Sequence, residues 1–135
     1  MAFEIKTRER ESVTILDLDG RLTVGQGASA LREAVANLAA EGKQNIGLNL
    51  AKVDYIDSTG LGALVMCATS LRKNGGAVKL LNLIRRHIEL LVMTKLATVF
   101  EIFNDEQDAV NSYYPDRKIK TFDILEFVQK MKQEE

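Results

Sequence analysis

The sequence predicts a single α/β domain, a mixed β-sheet of four or five strands packed with about four helices, followed by a C-terminal amphipathic helix. Three observations carry this. Short runs of alternating apolar residues recur through residues 3–103, longer stretches with apolar residues three and four apart separate them, and glycines stand at the joints. A chain of 135 residues with 46% apolar content can also build one ordinary core, and it is too short for two comfortable domains.

In chain order, Phe3 and Ile5 alternate with polar neighbours, and Val13 and Ile15 flank Thr14, which reads as two strands over residues 3–6 and 13–19 joined by a turn at residues 8–11. Gly20 closes the second strand. Gly25 and Gly27 punctuate a loop, and a helix over residues 28–41 presents Leu31, Val35 and Leu38 on one face before stopping at Gly42. Ile46, Leu48 and Leu50 mark a central strand over residues 45–50, followed by a loop over 51–57. Ser58 or a close neighbour caps a helix that reaches Asn74, with Leu61, Leu64, Val65, Ala68 and Leu71 turned inward. A strand over 77–81, a helix over 85–93, a short strand over 99–103 and a helical segment over 105–112 complete the core.

Strands alternating with helices after an initial hairpin imply a mixed sheet with helices packed against it. The domain is expected over residues 1–112, with a linker and helix over 113–135. The only proline, Pro115, and the run Asp116-Arg117-Lys118 mark the linker. Beyond it, Asp123 and Glu126 have capping-box spacing, and Ile124, Phe127, Val128 and Met131 form an apolar stripe that must pack on this domain or on a second subunit as a homodimer.

Composition narrows the function. With 18 basic and 19 acidic residues the formal net charge is −1, which gives no electrostatic reason to expect direct nucleic acid binding. The longest uncharged stretch, residues 58–71, is too short to span a bilayer, and the charged N-terminus lacks an apolar signal core, so a cytoplasmic protein without membrane insertion is expected. Cys67 is the only cysteine, which excludes an internal disulfide and suits a reducing compartment.

Enzyme signatures can be set aside in turn, and neither metal nor cofactor is implied. His87 is the only histidine, so a two-histidine zinc site cannot form. Cys67 reads as a buried structural thiol rather than a nucleophile paired with His87, which among Arg85, Arg86 and Glu89 reads as a solvated surface residue. Gly25-Gln26-Gly27-Ala28-Ser29-Ala30 fits a dinucleotide fingerprint, but residues 20–24 separate it from the preceding strand, and a turn before a helix is preferred. Ser58 lacks the glycine two residues earlier that a nucleophile elbow needs, Ile56 standing there, so catalysis by Ser58 is not expected.

The informative segment joins the predicted central strand to the predicted helix: Val53-Asp54-Tyr55-Ile56-Asp57-Ser58-Thr59-Gly60-Leu61-Gly62. Two glycines in the first turn of a helix each cost up to about 1 kcal/mol relative to alanine. Tight packing within the chain would need one of them; close approach by another protein would account for both. Hydroxyls at a helix N-terminus also suit a phosphate, because free N–H groups and the helix dipole favour negative charge there.

Residues 53–64 resemble the signature of the STAS domain, shared by anti-sigma factor antagonists and the cytoplasmic tails of sulphate transporters. The resemblance extends over residues 3–112, including Gly75-Gly76 before a strand and Thr94-Lys95-Leu96 before the last strand, and Asp57-Ser58-Thr59-Gly60-Leu61-Gly62 resembles the antagonist branch. The resemblance implies that Ser58 accepts phosphate from an anti-sigma factor that is also a serine kinase, with Thr59 a minor candidate, and that a serine phosphatase reverses the step. It implies a partner surface built from Asp57, Ser58, Thr59, Gly60, Leu61 and Gly62, together with Arg21 and Thr23. Members of the branch commonly carry Gly-Glu-Leu/Ile-Asp where this chain has Gly20-Arg21-Leu22-Thr23, which reverses one charge and removes another. The alternative is a STAS scaffold that does not switch, as a subunit of a transport or signalling complex.

Overall fold

The computed structural model describes residues 3–134; the ends of the expected domain and tail, residues 1–2 and 135, lie outside them. The order of elements is β1 (Glu4–Arg10), β2 (Val13–Leu22), α1 (Gln26–Ala40), β3 (Asn45–Ile56), α2 (Ser58–Lys73), β4 (Ala77–Leu81), α3 (Arg85–Met93), β5 (Glu101–Phe103), α4 (Glu106–Asn111) and α5 (Ile124–Glu134). The sheet runs β1-β2-β3-β4-β5, with β1 antiparallel to β2 and every other pair parallel. This is the expected mixed sheet with helices. Parallel pairing brings the junctions after β2, β3 and β4 to one edge of the sheet, where ligands and partners meet α/β proteins. No helix among the described residues is long and apolar enough to cross a membrane.

Most elements lie where the sequence places them, and the exceptions have physical causes. The first strand continues to Arg10, so the hairpin turns on Glu11 and Ser12, with Glu11 at φ 56. Gly20 does not end β2. It sits inside the strand at φ 119, and the strand runs on to Leu22. The expected loop over residues 51–57 is strand as far as Ile56. The register explains the miss: Asp17 faces Asn49 but Asp19 faces Lys52, and Gly20 faces Val53 but Arg21 faces Tyr55. β3 therefore carries two bulges relative to β2, and its buried residues Leu50, Val53 and Ile56 come three apart instead of two. A strand with that spacing loses the alternation by which strands are recognised. The longer β2 also shortens the gap before α1 to residues 23–25, less than the sequence reading assumed.

One face of the sheet, with Leu16, Leu18, Ile46, Leu48, Leu50, Val78 and Leu80, packs against Leu31, Val35, Leu64 and Leu71 of α1 and α2. The other carries a smaller cluster of Val13, Ile15, Leu81, Phe103, Ala109 and Val110, closed by Tyr113 and Tyr114. Those tyrosines correct the expected linker. The Tyr113 hydroxyl donates to the carbonyls of Ile46 and Ala77, each at 2.8 Å, and its ring lies 4.4 Å from the Nζ of the buried Lys79. Lys79 in turn pairs with Glu101 at 2.6 Å and donates to the Ser112 carbonyl. The Tyr114 hydroxyl accepts the Ser12 N–H at 3.0 Å. The irregular segment thus begins after Tyr114.

His87 also departs from expectation. It is 2% exposed, and neither ring nitrogen makes a well-formed hydrogen bond among the described residues. The reason is its place on α3, where Ile88 and Leu91 join it on the inward face while Arg85 and Arg86 turn outward. Burial first, and the Arg86 charge second, hold its pKa below the ordinary imidazole value, against a smaller opposing pull from the Val53 backbone. Cys67 is buried as expected, and burial pushes its thiol up to about 11.

Two measurements follow. Truncation after Ser112 removes the Tyr113 anchor, whereas truncation after Pro115 keeps it, so the first should cost about 1.5–3 kcal/mol more in denaturant unfolding; equal costs would show that Tyr113 contributes nothing. A histidine held neutral by the fold lets the unfolded chain take up more protons below about pH 6.5, so stability should fall as pH drops from 7.5 towards 5.5. His87→Leu should flatten that slope, since it removes the group and an unpaired buried ring.

Candidate functional site

The carboxyl ends of β2 and β3 build the site. Asp57 leaves β3 in extended conformation, at φ −93 and ψ −177, and caps α2. One carboxylate oxygen, Oδ1, accepts the Gly60 N–H at 2.7 Å, and the other, Oδ2, accepts the Val24 N–H at 2.9 Å. One side chain thus ties the start of α2 to the loop between β2 and α1. The same backbone N–H groups, from Val24 and then Gly60, hold the Asp57 carboxyl below its usual pKa, so it is an anion at neutral pH. Ser58 is the first residue of α2 and is exposed.

The two glycines separate cleanly. Gly60 is buried, and a Cβ there would fall on the Leu22 carbonyl, its oxygen in collision and its carbon only 2.7 Å away. The Leu22 oxygen also accepts the Asp57 N–H at 3.3 Å, so strand and helix approach backbone to backbone. Gly62 is exposed, and a Cβ there would meet nothing within 4 Å. Packing within the chain accounts for the first glycine and gives no account of the second.

Of the eight residues assigned to the partner surface, Ser58, Gly62 and Arg21 are exposed, and Asp57, Thr59 and Thr23 are half-buried. Gly60 and Leu61 face inward, Leu61 within the main core, so they seat the helix and offer no surface. The Thr23 carbonyl accepts the Ala28 N–H at 3.0 Å, which fixes the entry to α1. Arg21 lies over the Tyr55 ring at 5.2 Å, the two being register partners on β2 and β3. Tyr55 is 43% exposed and Val24 68%. Sequence reasoning missed these last two as surface residues. Tyr55 stood in a segment read as loop, and an apolar residue between two elements carries no signal of its own. No group of three or more His, Cys, Asp or Glu among the described residues could hold a metal ion.

Substitution should separate the glycines by sign. Gly60→Ala forces the Leu22 backbone to move and should destabilise the protein by about 1–3 kcal/mol. Gly62→Ala meets open space in a helix and should stabilise it by about 0.5–1 kcal/mol. Thermal or denaturant unfolding of the two variants checks both, and a stabilised Gly60→Ala would contradict the contact with Leu22.

Comparison with known proteins agrees with this arrangement. The STAS domain model matches residues 4–109. Over 102 residues the chain is 33% identical to the anti-sigma-B factor antagonist of Bacillus subtilis (strain 168), covering 76% of this chain and 92% of that one. The crystal structure of an anti-sigma factor antagonist from Mycobacterium paratuberculosis superimposes with a TM-score of 0.71 at 18% identity, over 82% of this chain and 93% of the other. The anti-sigma factor antagonist SpoIIAA, in its unphosphorylated form, gives 0.63 at 17% identity over 86% and 100% of the two chains. The Bacillus SpoIIAA in its phosphorylated form also gives 0.63, at 18% identity over 83% and 99%. The match takes in every strand and the turn that carries Asp57 and Ser58, and the chain belongs to the STAS domain family.

Proposed function

We propose that this chain is an anti-sigma factor antagonist that works by partner switching, with Ser58 as the switch. Unphosphorylated, it binds an anti-sigma factor with serine kinase activity and so releases a sigma factor; phosphorylated at Ser58, it does not bind, and a serine phosphatase restores it. Thr59, half-buried beside Ser58, is the minor acceptor. The observation that carries this reading is the exposed Ser58 at the head of α2, beside a Gly62 that nothing in the chain approaches. A partner passing close to that backbone needs a residue without a side chain. The named function of the Bacillus subtilis relative supports the same reading.

The electrostatics are consistent with a switch that acts on binding and spares the fold. A phosphate on Ser58 adds about −1.5 to −2 charges beside the Asp57 carboxylate. The start of α2 tolerates that charge through its dipole and free N–H groups. A partner shaped for a neutral hydroxyl does not. Two unit charges 4 Å apart interact by about 4 kcal/mol at an effective dielectric of 20, and a third of that is about tenfold in affinity.

With the cognate kinase and ATP, mass measurement should find one phosphate on the wild type and none at the principal site of Ser58→Ala. Ser58→Asp should bind the anti-sigma factor at least about tenfold more weakly with its melting temperature nearly unchanged. Equal affinity of wild type and Ser58→Asp would overturn the switch.

A further inference from the structure

The apolar stripe of α5, expected to be buried, is only half-buried: Phe127 stacks tilted on Phe122 at 5.8 Å, and no residue of the helix is buried. A second open surface is polar. α4, Tyr113 and Tyr114 close the second face of the sheet over Val13, Ile15, Leu81 and Phe103. Towards the carboxyl ends of β2 and β3 that face is open, and a cavity of about 360 Å³ lies on it, within the size range of small-molecule sites. Alternation along the strands determines what lines it. Asp17 and Asp19 follow Val13 and Ile15 on the same face, with their register partners Lys6 and Glu4 on β1 and Asn49 and Lys52 on β3 beside them. The floor is fixed by hydrogen bonds. Arg8 grips Asp17 with two N–H groups, at 2.6 and 3.0 Å, and the Asn49 side chain donates to Asp17 at 2.8 Å. The Asn49 Oδ1 accepts the Ala51 N–H and the Asn82 side-chain N–H, each at 3.1 Å. These bonds orient the Asn49 amide and use only one of its two N–H groups. The Arg8 guanidinium first, against the pull of burial, and then Asn49 and the Lys52 charge hold the Asp17 carboxyl below its usual pKa.

The walls, by contrast, carry charges without partners. Glu4 and Asp19 stand directly opposite each other on β1 and β2, an arrangement of like charges that destabilises a sheet. Lys6 stands opposite Asp17, whose carboxylate Arg8 already holds, and Lys52 opposite Asp19. None of Glu4, Lys6, Asp19 and Lys52 makes an ion pair among the described residues, and all are exposed. We infer that this cavity binds a free α-amino acid, its ammonium held between Glu4 and Asp19 and its carboxylate by Lys6, Lys52 and the second N–H of the Asn49 amide. Charge balance selects the class. Three cations and three carboxylates line the cavity, and Arg8 and Asp17 neutralise each other, so two of each sign remain. A simple anion meets Glu4 and Asp19, and a simple cation meets Lys6 and Lys52; a molecule bearing both charges satisfies both pairs. Glu4 and Lys6 are two strand residues apart, about 7 Å, so one small molecule reaches both, and the volume leaves room for its side chain. The site lies on the face of the sheet opposite α1 and α2 and does not depend on the role of Ser58.

Glycine, alanine, leucine, glutamine, glutamate and arginine, each titrated to about 10 mM against the isotope-labelled full chain and followed by NMR, test this. At least one should give saturable shifts of the Asn49 side-chain amide and of the backbone N–H groups of residues 17–19 and 49–52, with a dissociation constant below about 1 mM. Its N-acetyl and carboxamide derivatives, each lacking one charge, should bind at least about tenfold more weakly. Glu4→Gln and Lys52→Met should each weaken binding by a similar factor without lowering the melting temperature, because both residues are exposed and the first change removes the repulsion of Asp19. No saturable shift with any of these amino acids, undiminished binding of either derivative, or binding indifferent to both substitutions would each overturn the inference.

Discussion

The parallel pairing of β2 with β3 is the constraint from which the rest of the molecule follows. Both strands bury the same face against α1 and α2, yet β3 spends more residues than β2 over the same distance. Its bulges absorb the excess while keeping Leu50, Val53 and Ile56 in the core. They also determine where β3 ends and how Asp57 and Ser58 emerge. Without the extra residues a strict alternation would turn some of those side chains to the opposite face and move the start of α2.

The consequence is a junction with little freedom. The Leu22 carbonyl stands between the end of β3 and the first turn of α2, leaving room only for a glycine at position 60. Asp57 then joins the start of α2 to the loop after β2, one carboxylate oxygen accepting from each backbone. A serine placed on such a junction is presented on a firm support, since its neighbours Asp57 and Gly60 are held against the backbone of Leu22 and Val24. The site offers an exposed hydroxyl, an anion already satisfied by two N–H groups, and an open stretch of helix. The single histidine lies in the core.

Polar groups on the second face stabilise the opposite end of the fold by a different device. Arg8 reaches both Asp17 and Glu106, each at 2.6 Å, and so ties the hairpin to α4. These partners raise the pKa of Arg8 and lower those of both carboxyls, and the arrangement is half-exposed, so its worth is that of a surface network. Lys79 shows the other limit. A buried ammonium is tolerable only with Glu101, the Ser112 carbonyl and the Tyr113 ring around it. Tyr113 is therefore part of the domain although it follows the last core helix.

The alternation of elements, the places of the helices and the unusual segment at residues 53–62 were legible in the sequence because each rests on a local rule: apolar spacing, glycine stops and the preference of a short polar side chain at or near Ser58 for a helix N-terminus. What lay beyond it were the features that depend on residues distant in the chain. The bulges of β3 exist only relative to β2, and His87 among arginines looks solvated until the orientation of α3 is known. Tyr113 beside a proline looks like linker until Ile46 and Ala77 arrive beneath it. The difference between Gly60 and Gly62 is of the same kind. As letters they are equal, and only the Leu22 carbonyl, 38 positions before Gly60, makes one a packing requirement and leaves the other facing solvent. Spacing along the chain determines which face a residue takes, while what stands opposite that face is decided by the fold.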